Sequence, residues 1–166
     1  MQDQLRTESK DGLAHCSVGD VAVFLWRDPA SEARWRWVVQ RLEALGSKRA
    51  KGALCLYLIM ASSTPPGSAL RGRMQDDIRD LGDKLRKIIA VPVGDSIWAS
   101  VVRTLVRGIL LLSGNSSKQE LADDIPDAIA RVRRLATADT PSSEELTAAV
   151  EALYATLESE PARSPR

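Results

Sequence analysis

The sequence predicts an α/β fold: a mainly parallel mixed sheet of about five strands, opened by an antiparallel hairpin, with helices packed on it and an extra C-terminal helix. Three observations carry this. Residues 53–60, Ala-Leu-Cys-Leu-Tyr-Leu-Ile-Met, are apolar without period-2 alternation, the pattern of a central strand covered on both faces. Around that run, strand-like and helix-like segments alternate, the order that right-handed crossovers turn into a parallel sheet. Near the start, Gly19-Asp20 separates two strand-like runs, which suits a tight hairpin.

Each element has its own signals. Residues 1–11 are polar and read as a flexible N-terminus. Residues 12–18 form a short strand and 21–26, Val-Ala-Val-Phe-Leu-Trp, a stronger one ended by Arg27-Asp28-Pro29. Ser31 caps a helix to Leu45, closed by Gly46, with Trp35, Val38, Leu42 and Leu45 on one stripe. Trp37 lies off that stripe beside Arg36 and Arg41, either as a binding hot spot or packed over the sheet edge. After the central strand, Ala61 to Ser68 is a loop. A helix over 69–87 follows, with Met74, Ile78, Leu81 and Leu85 inward and Arg71, Arg73, Asp76, Asp77, Asp80 and Lys84 on its mixed outer face. Residues 88–93 are the next strand, with Pro92 requiring a short strand or a nearby edge.

The segment 97–112 is apolar at most positions, interrupted by Arg103, Thr104, Arg107 and Gly108. It is too short and too charged to span a bilayer, yet too apolar for a helix that covers one sheet face. Two readings are open: burial by the chain's own C-terminal helix, which the availability of that helix favours, or a surface for a partner or lipid. Residues 118–122 are a weak edge strand. Asp123-Asp124 then caps a helix through Ile125, Ile129, Val132 and Leu135, with Pro126 in its first turn and Arg131, Arg133 and Arg134 at its end. Residues 136–158 comprise a linker and a final helix opened by a Ser142/Glu145 capping box, with Leu146, Val150, Leu153 and Leu157 inward. Residues 159–166 read as a disordered tail.

At 166 residues, 44% hydrophobic and 27% charged, the chain has the proportions of one globular domain rather than a disordered one. A net charge of +1 makes no case for nucleic acid, and no basic cluster is interleaved with its few aromatics. The stretch 27–107 is rich in Lys and Arg and the remainder in Asp and Glu. Solvated helix faces account for this, with a functional basic patch as the alternative. Cys16 and Cys55 have neither metal-binding nor disulfide spacing, so inert packing is expected. The first ten residues lack the apolar core of a signal peptide, which makes a cytoplasmic location the default expectation.

The hairpin start, the element order and the closing run Glu120-Leu-Ala-Asp-Asp-Ile-Pro-Asp-Ala-Ile-Ala130 resemble STAS-like (anti-sigma-factor-antagonist-like) proteins. The nearest likeness is to the poorly characterised bacterial branch grouped with STAS and Sec14-type domains. The resemblance spans 12–135 and leaves the last helix unexplained. It implies a regulatory protein-interaction module, and it points to Ser62 or Ser63 as a candidate phospho-acceptor, where the family has a serine in an Asp-Ser-Ser-Gly turn. Here Ala61 replaces the Asp, Thr64 replaces the Gly, and Pro65-Pro66 lengthens the loop, so loop serines bound to their own backbone are the competing reading.

No phosphate loop, dinucleotide fingerprint or nucleophile elbow is present, and His15 is the one histidine. No catalytic, cofactor-binding or metal-ligating residues are therefore assigned, and no enzyme is expected. Two functions follow. In the first, the apolar 97–112 helix serves self-association or docking of a protein partner, with Trp98, Val101, Val102, Leu105, Val106 and Ile109 as its face. In the second, a lipid or small apolar ligand occupies a pocket between that helix and the sheet.

Overall fold

Alternation that burial on both sides hides in the sequence sorts the strand residues cleanly between two faces. The structure, a computed structural model, describes residues 5–94, 97, 100–104, 107 and 117–161. Strands β1 (Glu8–Lys10), β2 (Leu13–Val18), β3 (Val21–Trp26), β4 (Ala53–Met60), β5 (Leu85–Val93) and β6 (Gln119–Leu121) form one sheet in chain order. The first three pair antiparallel, and β3 to β6 run parallel. Helices α1 (Glu32–Gly46) and α2 (Ser68–Leu81) connect β3, β4 and β5, and residues 97, 100–104 and 107 are helical between β5 and β6. Helices α3 (Ile125–Arg134) and α4 (Ser143–Ser159) follow.

The fold is thus a three-layer α/β sandwich. On one face Ala22, Phe24, Trp26, Cys55 and Ile88 meet Trp35, Val38 and Leu42 of α1 and Ile78 and Leu81 of α2. On the other, Val23, Leu25, Leu54, Leu56, Leu58 and Ile89 meet Val132 of α3 and Leu146, Val150, Leu153 and Leu157 of α4. The helical caps foreseen at Ser31, Asp124 and Ser142 all form; Asp124 Oδ1 accepts from Asp127 N at 2.8 Å. Ser31 Oγ accepts from Arg34 N at 3.3 Å, and Ser142 and Glu145 satisfy one another's backbone N–H groups at 3.2 and 2.7 Å. Pro92 lies past the end of β6, whose last ladder bond runs from Ala122 N to Ala90 O, so its missing N–H interrupts no pairing there.

Three expectations are corrected. Glu8–Lys10, within the stretch read as flexible, is an edge strand paired with β2, which gives the sheet of about five strands a sixth. The helix expected over 69–87 ends at Leu81: Gly82 adopts φ +52°, outside the helical region, and Leu85 opens β5 instead of extending the helical stripe. Gly46, read as closing α1, is its last residue, and a Cβ there would collide with the Lys84 carbonyl. The C-terminal helix α4 packs on β2, β3 and α3, on the face away from α1 and α2, and so does not cover Val102, which lies on the α1/α2 side.

What fastens α4 and its linker to the sheet is Asp20, in the two-residue turn between β2 and β3. Its buried Oδ2 accepts from Arg86 Nη2 at 2.6 Å and from Thr137 Oγ1 and Thr140 Oγ1, each at 3.0 Å. Its backbone accepts from Leu54 N and donates to Asp139 O. Asp20→Ala leaves the half-buried Arg86 guanidinium without its counter-charge and is expected to lower the urea-unfolding free energy by about 3 kcal/mol. Asp76→Ala, which removes the exposed pair with Arg79, is expected to cost less than about 1 kcal/mol in the same titration.

Candidate functional site

The α1/α2 face is not completely filled. Trp26 ends β3, Tyr57 and Ile59 follow on β4, and Ile88 and Ala90 lie on β5; together they floor an apolar pocket of about 130 Å³ over the carboxyl half of the parallel strands. Trp35 of α1 and Met74 and Ile78 of α2 form its walls. Val102, from the helical segment after β5, closes one side. The loop into α2 contributes Thr64, Pro65 and Pro66 to the rim, beside Arg71. This is the carboxyl end of a parallel sheet, where α/β proteins place their ligands.

Local sequence explains the opening. Pro65, Pro66 and Gly67 delay α2 until Ser68, so the first turn of the helix stands away from the ends of β3 and β4. Ala30 and Ala90 supply little bulk where larger residues would fill the space. The aromatic floor is rigid: the Trp26 and Tyr57 rings lie 5.4 Å apart at 41°, and Trp35 Nε1 donates to Asp77 Oδ2 at 2.8 Å, locking α1 to α2. Asp77, expected on the water-facing side of α2, is therefore the acceptor for a core tryptophan.

Polar atoms in the pocket are few, and most are donors. Trp26 is 1% exposed, yet its indole N–H has no hydrogen-bond partner. Leaving such a donor unsatisfied costs about 1–3 kcal/mol. The Tyr57 hydroxyl has no partner among the described residues, and burial holds it protonated, with its pKa well above the ordinary phenol value. Arg71 donates Nη1 to Pro66 O at 3.0 Å and pairs with no carboxylate among the described residues. Gln119 Nε2 donates to Gln75 Oε1 at 3.0 Å across one rim.

The residues singled out from the sequence fall as follows. Ser62 Oγ donates to Arg27 O at 2.6 Å and Ser63 Oγ to Asp28 O at 3.1 Å, so both tie the β4–α2 loop to the β3–α1 loop; Ser63 is buried and lines the pocket. Of the expected helix face, Trp98, Leu105, Val106 and Ile109 lie outside the described residues. Val102 is 5% exposed and belongs to the pocket, whereas Val101 is 57% exposed and lies with Ile97, at 79%, on an open outer surface. Trp37 is packed, with the Arg41 guanidinium 4.0 Å from its ring centroid. Cys16 and Cys55 are buried thiols, and burial pushes Cys16 up to about 12.

His15 sits apart from the pocket, on β2. Its ring lies 4.7 Å from Phe24 and 5.8 Å from Trp37, and Ser17 Oγ is 3.1 Å from Nε2. A serine beside an imidazole can be a nucleophile with its base, but Nδ1 is buried with no carboxylate to orient it. Burial lowers its pKa to about 4, against the pull of Glu8 and with a smaller push from Arg41, which makes it a weak base. Among the described residues, no group of three or more His, Cys, Asp or Glu could hold a metal ion, and no helix is long and apolar enough to cross a membrane.

The low His15 pKa has a measurable consequence. The unfolded imidazole takes up a proton near pH 6.5 and the folded one only near pH 4, so the unfolded state binds more protons in that window. Folding stability is therefore lost as pH falls through it, by about 3 kcal/mol from this residue. In urea titrations from pH 7 to pH 4, His15→Leu is expected to flatten that part of the profile.

No protein-family model matches the chain, and none of the curated proteins matches it.

Proposed function

We propose that this protein acts by binding, not by catalysis, and that it holds a small apolar ligand in the pocket between the sheet, α2 and the helical segment after β5. The observation that carries the reading is the cavity of about 130 Å³ lined by Trp26, Trp35, Tyr57 and aliphatic side chains. A cavity lined by tryptophan, tyrosine and aliphatic side chains favours apolar ligand bodies, and a few donors fix orientation. The order of elements through 12–135 supports placing the domain among STAS-like proteins of the bacterial type, in a cytoplasmic regulatory role. Ligand occupancy would then bear on Val102, and through it on the helix whose outer surface carries Ile97 and Val101.

That outer surface favours a second reading. Two exposed apolar side chains on one helical segment, Ile97 and Val101, suit self-association or docking of a protein partner. The two readings separate in one experiment. Native mass spectrometry of freshly purified protein is expected to show a monomer carrying a discrete small-molecule adduct. Ala90→Phe, which fills the pocket floor, is expected to remove the adduct while leaving the circular dichroism spectrum unchanged. A protein with neither an adduct nor a gain in thermal stability from toluene contradicts the ligand reading. A dimer that Val101→Glu converts to monomer supports the second.

A further inference from the structure

Resting on the pocket as a ligand site, we infer that its occupant is a small carboxylate with a single-ring apolar body, its carboxylate bound by Arg71. The described lining holds one cation, Arg71, and no Asp or Glu. On the same helix Arg73 pairs with Glu32 and Arg79 with Asp76, whereas among the described residues Arg71 has the Pro66 carbonyl and no carboxylate, which leaves four of the five donors of its guanidinium for a ligand. The planar fork of a half-buried guanidinium at an apolar rim matches the two oxygens of a carboxylate.

Two further features favour an anion there. Helix α2 begins without a side-chain cap and without an acidic residue in its first turn, so its positive end is uncompensated beside the rim. Two aromatic residues of the lining can also donate to an acceptor: Trp26 through an indole N–H that has no partner, and Tyr57 through its hydroxyl. The Ser63 hydroxyl and the Gln119 amide are already engaged, on Asp28 O and Gln75 Oε1.

Size and shape set the body. A cavity of about 130 Å³ is close to the roughly 150 Å³ that accepts a benzene ring in a protein core. The Trp26, Trp35 and Tyr57 rings offer stacking and edge contacts to such a ring.

The test is isothermal titration of the full chain at pH 7 with benzoate, benzamide, toluene and decanoate. Benzoate is expected to bind at one site and more tightly than benzamide. Arg71→Gln is expected to weaken benzoate by about tenfold or more while leaving benzamide and toluene nearly unchanged. Trp26→Phe, a second variant at a separate donor, is expected to weaken benzoate and benzamide together. Benzamide as tight as benzoate, or an equal effect of Arg71→Gln on both, overturns the carboxylate while leaving the pocket as a ligand site. Decanoate tighter than benzoate overturns the single-ring body. Failure of all four to bind overturns both readings.

Discussion

Handedness is the constraint on which this structure depends. From β3 onward the strands lie in the sheet in the order of the chain, and every connection between them is parallel. Right-handed crossovers that step in one direction put all their helices on one face. That is why α1, α2 and the helical segment after β5 share a side. The opposite face, with Leu54, Leu56, Leu58 and Ile89, would be open to water without the residues after β6. Helices α3 and α4 are that cover, so the C-terminal extension completes the core.

Fastening the extension falls to a few polar contacts at opposite ends of α4. Asp20 holds the linker before α4 through Thr137 and Thr140, while Arg86 neutralises it from β5. At the far end, Arg27 donates to Leu157 O at 2.9 Å and to Glu160 at 3.2 Å, and Glu160 also accepts from Ser9 and Gly12. The same Arg27 carbonyl takes the Ser62 hydroxyl. One short stretch at the end of β3 therefore connects the C-terminal cover on one face to the rim of the pocket on the other.

Much of this was legible in the residues. The central strand, the hairpin, both side-chain caps on α1 and α4, and the edge position of β6 follow from burial pattern, turn chemistry and cap spacing. What escaped were features set by distant partners. The three polar residues of β1 form a strand only because β2 offers an unpaired edge, a signal absent from Glu8-Ser9-Lys10 itself. Leu85 fits a helical stripe at i+4 from Leu81, and only the backbone of Gly82 shows that the helix has stopped. The position of α4 could not be read from its own amphipathic pattern, because both faces of the sheet were apolar; the crossover rule would have assigned it. The pocket had a partial signal. An apolar space between the 97–112 segment and the sheet was an open reading, but its aromatic lining comes from three elements separated in sequence. Trp26 and Tyr57 come together through the β3–β4 register and Trp35 reaches them from α1, and the absence of a partner for Trp26 Nε1 exists only in three dimensions.

The pocket, then, lies on the face that the crossovers built and the chain did not fully fill. Its lining is mostly apolar, most of its polar atoms donate, and among the described residues its one charge is positive. The most direct measurement is a crystal structure of the protein with 4-bromobenzoate, collected at the bromine edge. The expected result is an anomalous peak inside the pocket, against the Trp26 and Tyr57 side of its lining, with the carboxylate turned toward Arg71. Bromine found only on the outer surface near Ile97 and Val101, or no peak at all in a crystal grown with the compound, would contradict a ligand site on this face.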